Sequence, residues 1–170
     1  MSTESTDLYS FVSSSPEETF EAARRLGSRL DGGAVLALHG DLGAGKTTFT
    51  RGLTKGLGVF EGENVSSPTY VLEQIYAGPQ IVRHYDAYRL AGSDELVHLG
   101  FLDHVGSEDV IVVEWADRVE EALPPDALSI HFEHDFQGGE ESRRIRLTGR
   151  SERWADIADR LGSSSEEEDS

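Results

Sequence analysis

A chain of 170 residues with 32 acidic and 15 basic side chains carries a formal net charge of −17 and no cysteine. The length fits one domain around a single core, the absence of thiols excludes a disulfide framework, a thiolate nucleophile and a cysteine zinc site, and the negative field disfavours direct binding to nucleic acid. No apolar run approaches the roughly 18 residues of a membrane helix, and Met1 to Asp7 has neither the basic nor the apolar part of a signal peptide, so a cytoplasmic location is expected.

Met1 to Asp7 and residues 162 to 170, with the run SSSEEEDS, read as disordered ends, leaving a folded domain over residues 8 to 161. Ser15-Pro16-Glu17-Glu18 combines an N-cap residue, proline at the first helical position and a capping-box carboxylate, which predicts a helix to about Leu30 that stops at Gly32-Gly33. Ala34 to Leu38 has the length and composition of a buried strand and leads directly into Gly40. Thr48 to Leu57 reads as a helix with Phe49, Leu53 and Leu57 on one face, closed by Gly58.

Tyr70 to Tyr76 and Ile81 to Tyr85 read as strands joined by a turn at Gly78-Pro79, and Val110 to Val113 as a further buried strand. A helical stretch is expected near Asp94 to His104. Alternation at Leu128, Ile130 and Phe132 and again at Ile145 and Leu147, with Gln137-Gly138-Gly139 between, suggests a hairpin, followed by a helix near Ser151 to Leu161 that packs Trp154 and Ile157. Strands interleaved with helices predict a three-layer α/β fold of the P-loop NTPase type, with a central, mainly parallel sheet and a C-terminal hairpin and helix.

The run Gly40-Asp41-Leu42-Gly43-Ala44-Gly45-Lys46-Thr47 carries the chemistry. Its glycines let successive N–H groups turn inward, the helix beginning near Lys46 adds its positive N-terminal end, Lys46 can reach β- and γ-phosphates, and Thr47 offers a hydroxyl to Mg²⁺, with Thr48 following. A strand before the loop and an amphipathic helix after it are the context such a loop requires.

A hydrolytic site needs a carboxylate for the metal or its water at the end of a neighbouring strand, and Glu114 follows Val110 to Val113 in that place. Glutamate where many such enzymes have aspartate suggests contact through water, and the bland alternative is a solvated strand end. Asp86, in His84-Tyr85-Asp86-Ala87-Tyr88-Arg89, could orient water or share the metal site, or else serve as an N-cap or pair with Arg89. His84 reads as a packing or hydrogen-bonding residue, Tyr85 and Trp115 as core or cleft aromatics, and Thr69 either as a sensor of the γ-phosphate or as part of a proline turn.

GDLGAGKTTFTRGL, SSPTYVL, HYDAYRL, LGFLD and VIVVEWADR, in this order and spacing, resemble the bacterial TsaE (YjeE) family over about Ser15 to Arg118. The resemblance implies an ATPase that supports threonylcarbamoyladenosine formation on tRNA together with a TsaB–TsaD heterodimer, itself not the transferase. Carried over, it makes Lys46 and Thr47 the phosphate and Mg²⁺ contacts, Glu114 the metal-associated carboxylate and Asp86 a carboxylate required for activity. It also places Trp115 and the Ser66 to Tyr70 loop beside the nucleotide or partner, and Ser15 to Thr19 near the adenine.

A GTPase is disfavoured, because the only asparagine is Asn64 and no lysine follows Lys55 to form an Asn-Lys-x-Asp element. A small-molecule kinase using Asp86 as base, or an adaptor that binds ATP with negligible hydrolysis, remain as alternatives. Only Lys46 and Lys55 are lysines, and the excess of carboxylate reads as adaptation to a salty, halophilic cytoplasm or as a mesophilic acidic surface.

Overall fold

A computed structural model describes residues 4–41, 43–60, 65–66 and 72–167. Leu42, Ser67 to Tyr70 with Thr69, and the last three residues lie outside them. The strands are β1 (Thr6–Ser13), β2 (Val35–His39), β3 (Glu73–Tyr76), β4 (Val82–Asp86), β5 (Val110–Glu114), β6 (Leu128–His134) and β7 (Arg143–Gly149). The helices are α1 (Pro16–Ser28), α2 (Lys46–Gly56), α3 (Ser93–His98), α4 (Phe101–His104) and α5 (Glu152–Glu167), with 3-10 turns at Ala116–Arg118 and Glu120–Ala122.

One seven-stranded sheet has the order β1-β7-β6-β2-β5-β4-β3. Its four central strands run parallel, β2 pairing with β6 and β5 and β5 with β4, while β1, β7 and β3 add antiparallel margins. Each strand has a period of two, so alternate residues feed two cores. Leu36, Leu38, Val112 and Ile130 pack under α1, α2 and α5, whereas Val35, Ala37, Ile111 and Val113 pack against Leu96 of α3, Phe101 of α4 and Val119. The result is the expected three-layer α/β domain.

Glycine sets the closeness of α1 and α2. A Cβ on Gly52 or Gly56 of α2 would run into the carbonyl oxygen of Phe20 or Arg24, and one on Gly27 of α1 would strike that of Leu53. Mid-helix glycine costs about 1 kcal/mol relative to alanine in propensity, so its presence on both facing surfaces marks backbone-to-backbone approach. That contact fixes the start of α2, and with it the loop leading in from β2.

Several boundaries differ from the sequence reading. Thr6 and Asp7, expected to be disordered, belong to β1, because Asp7 meets the Arg146 guanidinium at 2.9 Å and Tyr9 and Phe11 lie opposite Leu147 and Ile145 of β7. α1 ends at Ser28, where the Arg29 N–H bonds back to Leu26 and Gly27 carbonyls. The helical stretch at 94–104 is two short helices broken by Gly100, whose φ is +88°. α5 does not stop near Leu161: it passes Gly162 and runs to Glu167, into the expected acidic tail, since neither serine nor glutamate there breaks a helix.

Candidate functional site

The parallel centre of the sheet brings three strand ends together, and the run from residue 40 to 47 leaves β2 between them. Gly43 and Gly45 have φ of +76° and +102°, values that a side chain would strain, and Gly45 is the N-cap residue of α2. A Cβ added at Gly43 would meet nothing within 4 Å, and one at Gly45 only Thr19 Cγ2 at 3.8 Å, so the mouth of the loop is open. At Gly40 the reverse holds: a Cβ would stand 2.9 Å from Phe132 Cβ, which packs the loop's root against β6.

α1 and α2, packed against each other on this face, differ at their N-termini. α1 is closed by its own side chains, Ser15 Oγ accepting from the Glu18 N–H and Glu18 Oε2 accepting from the Ser14 N–H at 2.7 Å. α2 has no side-chain cap and no acidic residue in its first turn. Its first N–H groups and the positive end of its dipole are therefore left for an external anion.

Lys46 stands in that first turn, 5% exposed, with Nζ donating to the carbonyl oxygens of Gly40 at 2.5 Å and Asp41 at 2.7 Å. The ammonium also lies 4.0 Å from the centroid of the Trp115 ring. Burial lowers the Lys46 pKa, against the opposing pull of Glu114, Asp41, Asp86 and Asp117. A phosphate would replace carbonyl dipoles with a full negative charge and favour the charged amine. Trp115 holds its place through a left-handed backbone, φ +57°, alone among described non-glycine residues. Such a conformation costs about 1–3 kcal/mol and is kept where the surroundings impose it; here the ring wedges between Lys46 and Tyr88, 4.9 Å away centroid to centroid.

Asp86 and Glu114 end adjacent parallel strands and are register partners. Neither is a solvated strand end: they are 8% and 2% exposed. Asp86 Oδ1 accepts from the Tyr88 N–H at 2.9 Å, which fixes the turn after β4 and aims the carboxylate. Glu114 Oε1 accepts from the Thr47 hydroxyl at 3.1 Å, and Oε2 lies 2.8 Å from His84 Nε2. The structure thus brings together Lys46, Thr47, Asp86 and Glu114 from three elements, and His84, read only as a packing or hydrogen-bonding group, is bonded to one of them. Tyr85 faces away into the second core, its hydroxyl donating to Glu73 Oε1, so it takes no part.

On the other side of the loop, a cleft of about 230 Å³ is bordered by Thr19, Gly43, Gly45, Thr48, Glu141 and Arg143. Arg143, at the root of the β6–β7 hairpin, donates from Nη2 to the Gly43 carbonyl at 3.3 Å and ties the hairpin to the loop. Sequence reading missed this residue, since nothing local in an arginine that opens a strand points to a partner 100 positions away.

The donors suit Mg²⁺ carried by a nucleotide. Among the described residues no group of three or more His, Asp or Glu could hold a metal ion alone, whereas one hydroxyl and one carboxylate beside an open anion site match a hard cation that brings phosphate oxygens and water with it.

Comparison with known proteins gives a consistent result. The family model described as "Threonylcarbamoyl adenosine biosynthesis protein TsaE" matches residues 13–145. A "tRNA threonylcarbamoyladenosine biosynthesis protein TsaE" of Streptomyces coelicolor is 44% identical over 141 residues, covering 79% of this chain and 93% of the relative. The protein of the same name from Bacillus subtilis is 37% identical over 147 residues, 86% of this chain and 89% of that one. The crystal structure of YdiB from the same species superposes with a TM-score of 0.77 at 32% identity, over 96% of this chain and 99% of that structure.

Proposed function

The chain belongs to the TsaE family of tRNA threonylcarbamoyladenosine biosynthesis proteins, and from that premise we propose that it is an ATPase that binds Mg–ATP on the loop between β2 and α2 and acts with TsaB and TsaD partners. The observation that carries the proposal is the contrast between the capped α1 and the uncapped α2, whose first turn holds Lys46 and Thr47 beside the buried Glu114.

In this reading the N–H groups of Gly43 and of Gly45 to Thr48 wrap the phosphates, the Ala44 N–H being bonded to the Asp41 carbonyl, and Lys46 turns from its two carbonyl partners to the β- and γ-phosphates. Leu42, which lies outside the described residues, completes the loop. Thr47 and Glu114 would hold Mg²⁺, which supplies charge neutralisation to the transferred phosphoryl group. Asp86, held by the Tyr88 N–H, orients the water that attacks. Thr48 borders the cleft in which the rest of the nucleotide would lie.

The test is ATP turnover measured with and without the two partner proteins. Turnover stimulated by the partners supports the proposal. Phosphate transfer to an added small acceptor would make the protein a kinase, and tight ATP binding with no stimulated turnover would make it a nucleotide-sensing adaptor.

A further inference from the structure

The site described so far uses one oxygen of Glu114, and the fold devotes a second group to the other. His84 lies two residues before Asp86 on β4, beside Val112 and therefore diagonal to Glu114 on the same face of the sheet. It is fully buried, and its Nε2 is 2.8 Å from Glu114 Oε2. A carboxylate only accepts, so Nε2 carries the hydrogen. The remaining ring nitrogen, Nδ1, is 3.2 Å from the hydroxyl of Tyr76, which also reaches Gln74 Oε1 at 2.6 Å and the carbonyl of Ser66 at 3.3 Å. With Nε2 protonated, Nδ1 accepts and takes the single Tyr76 proton, so a connected chain runs from Tyr76 through His84 to Glu114, and from there to Thr47.

We propose that His84 is the positioning residue of Glu114: its Nε2–H commits Oε2 and thereby points Oε1 at Thr47 and the metal, while the Tyr76 hydroxyl, donating to Nδ1, holds the ring in that tautomer. This rests on the Mg–ATP reading above. A glutamate carboxylate has one rotatable torsion more than that of aspartate, and a metal-side oxygen that swings is a poor ligand. With Oε2 held by β4, Glu114 meets the metal or its water through Oε1 alone. The sequence carries the device as a histidine two positions before the site aspartate, an arrangement that only the strand pairing turns into a contact.

Two polar substitutions of different reach test it. In His84→Gln the amide nitrogen can occupy the place of Nε2, whereas in His84→Asn it takes that of Nδ1 and falls short of Glu114. The readout is the Mg²⁺ concentration giving half-maximal binding of labelled ATP, taken beside the melting temperature and the partner-stimulated kcat. The expected result is a rise of about 10-fold in the Mg²⁺ requirement for His84→Asn, the lower end of the usual effect of removing a group behind a metal ligand. His84→Gln should stay within about 3-fold of the wild type on the same scale. Both variants behaving alike, or an unchanged Mg²⁺ requirement in a folded His84→Asn protein, would overturn the inference. A His84→Asn chain that does not fold leaves His84→Gln to decide, since a folded Gln variant with a 10-fold higher requirement overturns it too, and one that matches the wild type supports it. Wild-type protein that binds no ATP at any Mg²⁺ concentration would instead overturn the ATPase reading, and this inference with it.

Discussion

The hydroxyl of Thr47, at the start of α2, donates to the carboxylate of Glu114, at the end of β5, across 3.1 Å and 67 positions of chain. One hydrogen bond therefore joins the glycine loop and its helix to the neighbouring strand end. It works only because β2 and β5 are parallel partners, in register from Val35 with Ile111 to Leu38 with Glu114, so that both strands deliver their ends to the same edge. Ligands lie at the carboxyl ends of strands in open α/β sheets for this reason.

The glycines between α1 and α2 make the first prediction. Gly52→Ala gains about 1 kcal/mol of helix propensity. It also drives a Cβ into the Phe20 carbonyl and to 2.9 Å from Ala23 Cβ, where backbone cannot yield without parting the helices. Overpacking of this kind costs about 1–3 kcal/mol, and more when the obstacle is backbone. The variant should melt several degrees lower, and a melting temperature equal to or above the wild type would show that the helices separate freely.

Lys46→Ala removes the amine that faces the phosphates in the proposed complex. Charge-assisted bonds of this type contribute about 1.5–3 kcal/mol, which is roughly 10- to 100-fold in affinity. Titration with labelled ATP should show that loss while the far-UV circular dichroism stays unchanged, because among the described residues the amine bonds loop carbonyls and stacks on Trp115. Equal affinity would remove the loop from the nucleotide site.

The glycine loop after β2, its preceding strand and the positions of the two strand-end carboxylates were legible because each is a local pattern: a glycine spacing, an apolar run, an acid at the end of such a run. β1 was not, since the run Leu8-Tyr9-Ser10-Phe11-Val12 shows no strict alternation, and Tyr9 and Phe11 find their strand partners Leu147 and Ile145 on β7 only 138 and 134 positions away. The same holds for His84 with Glu114, 30 positions apart, and for Arg143 with the loop. The left-handed turn at Trp115 has no sequence signal either, because tryptophan is not a residue that favours it. Contacts between distant segments, and backbone held by its surroundings, were what the sequence withheld.

A pair of stacked histidines gives a pH dependence. His39 and His131 are register partners on β2 and β6, with ring centroids 4.7 Å apart. Burial, His39 and Arg146 together lower the His131 pKa from the usual 6.5 to about 4, against Glu133 and Asp7. Burial lowers His39 as well, opposed by Asp117. The native state therefore prefers both rings neutral. Between pH 6.5 and about 4 the unfolded chain binds more protons at His131, so stability falls as the pH drops through that window. Urea midpoints at about pH 7 and about pH 4.5 should separate less in His131→Gln than in the wild type, and equal separation would show that His131 does not drive the change.

The most direct test of the account as a whole compares Asp86→Asn and Glu114→Gln with the wild type in partner-stimulated ATP turnover and in ATP binding. Both side chains are buried at the end of paired strands, and each amide preserves the shape while removing the charge. If they act on the metal and the attacking water, each substitution lowers turnover by about 10²- to 10⁴-fold and changes ATP affinity far less, with Glu114→Gln also needing more Mg²⁺. Near-wild-type turnover in both variants, with unchanged melting behaviour, would contradict the assignment and move the chemistry away from these two strand ends.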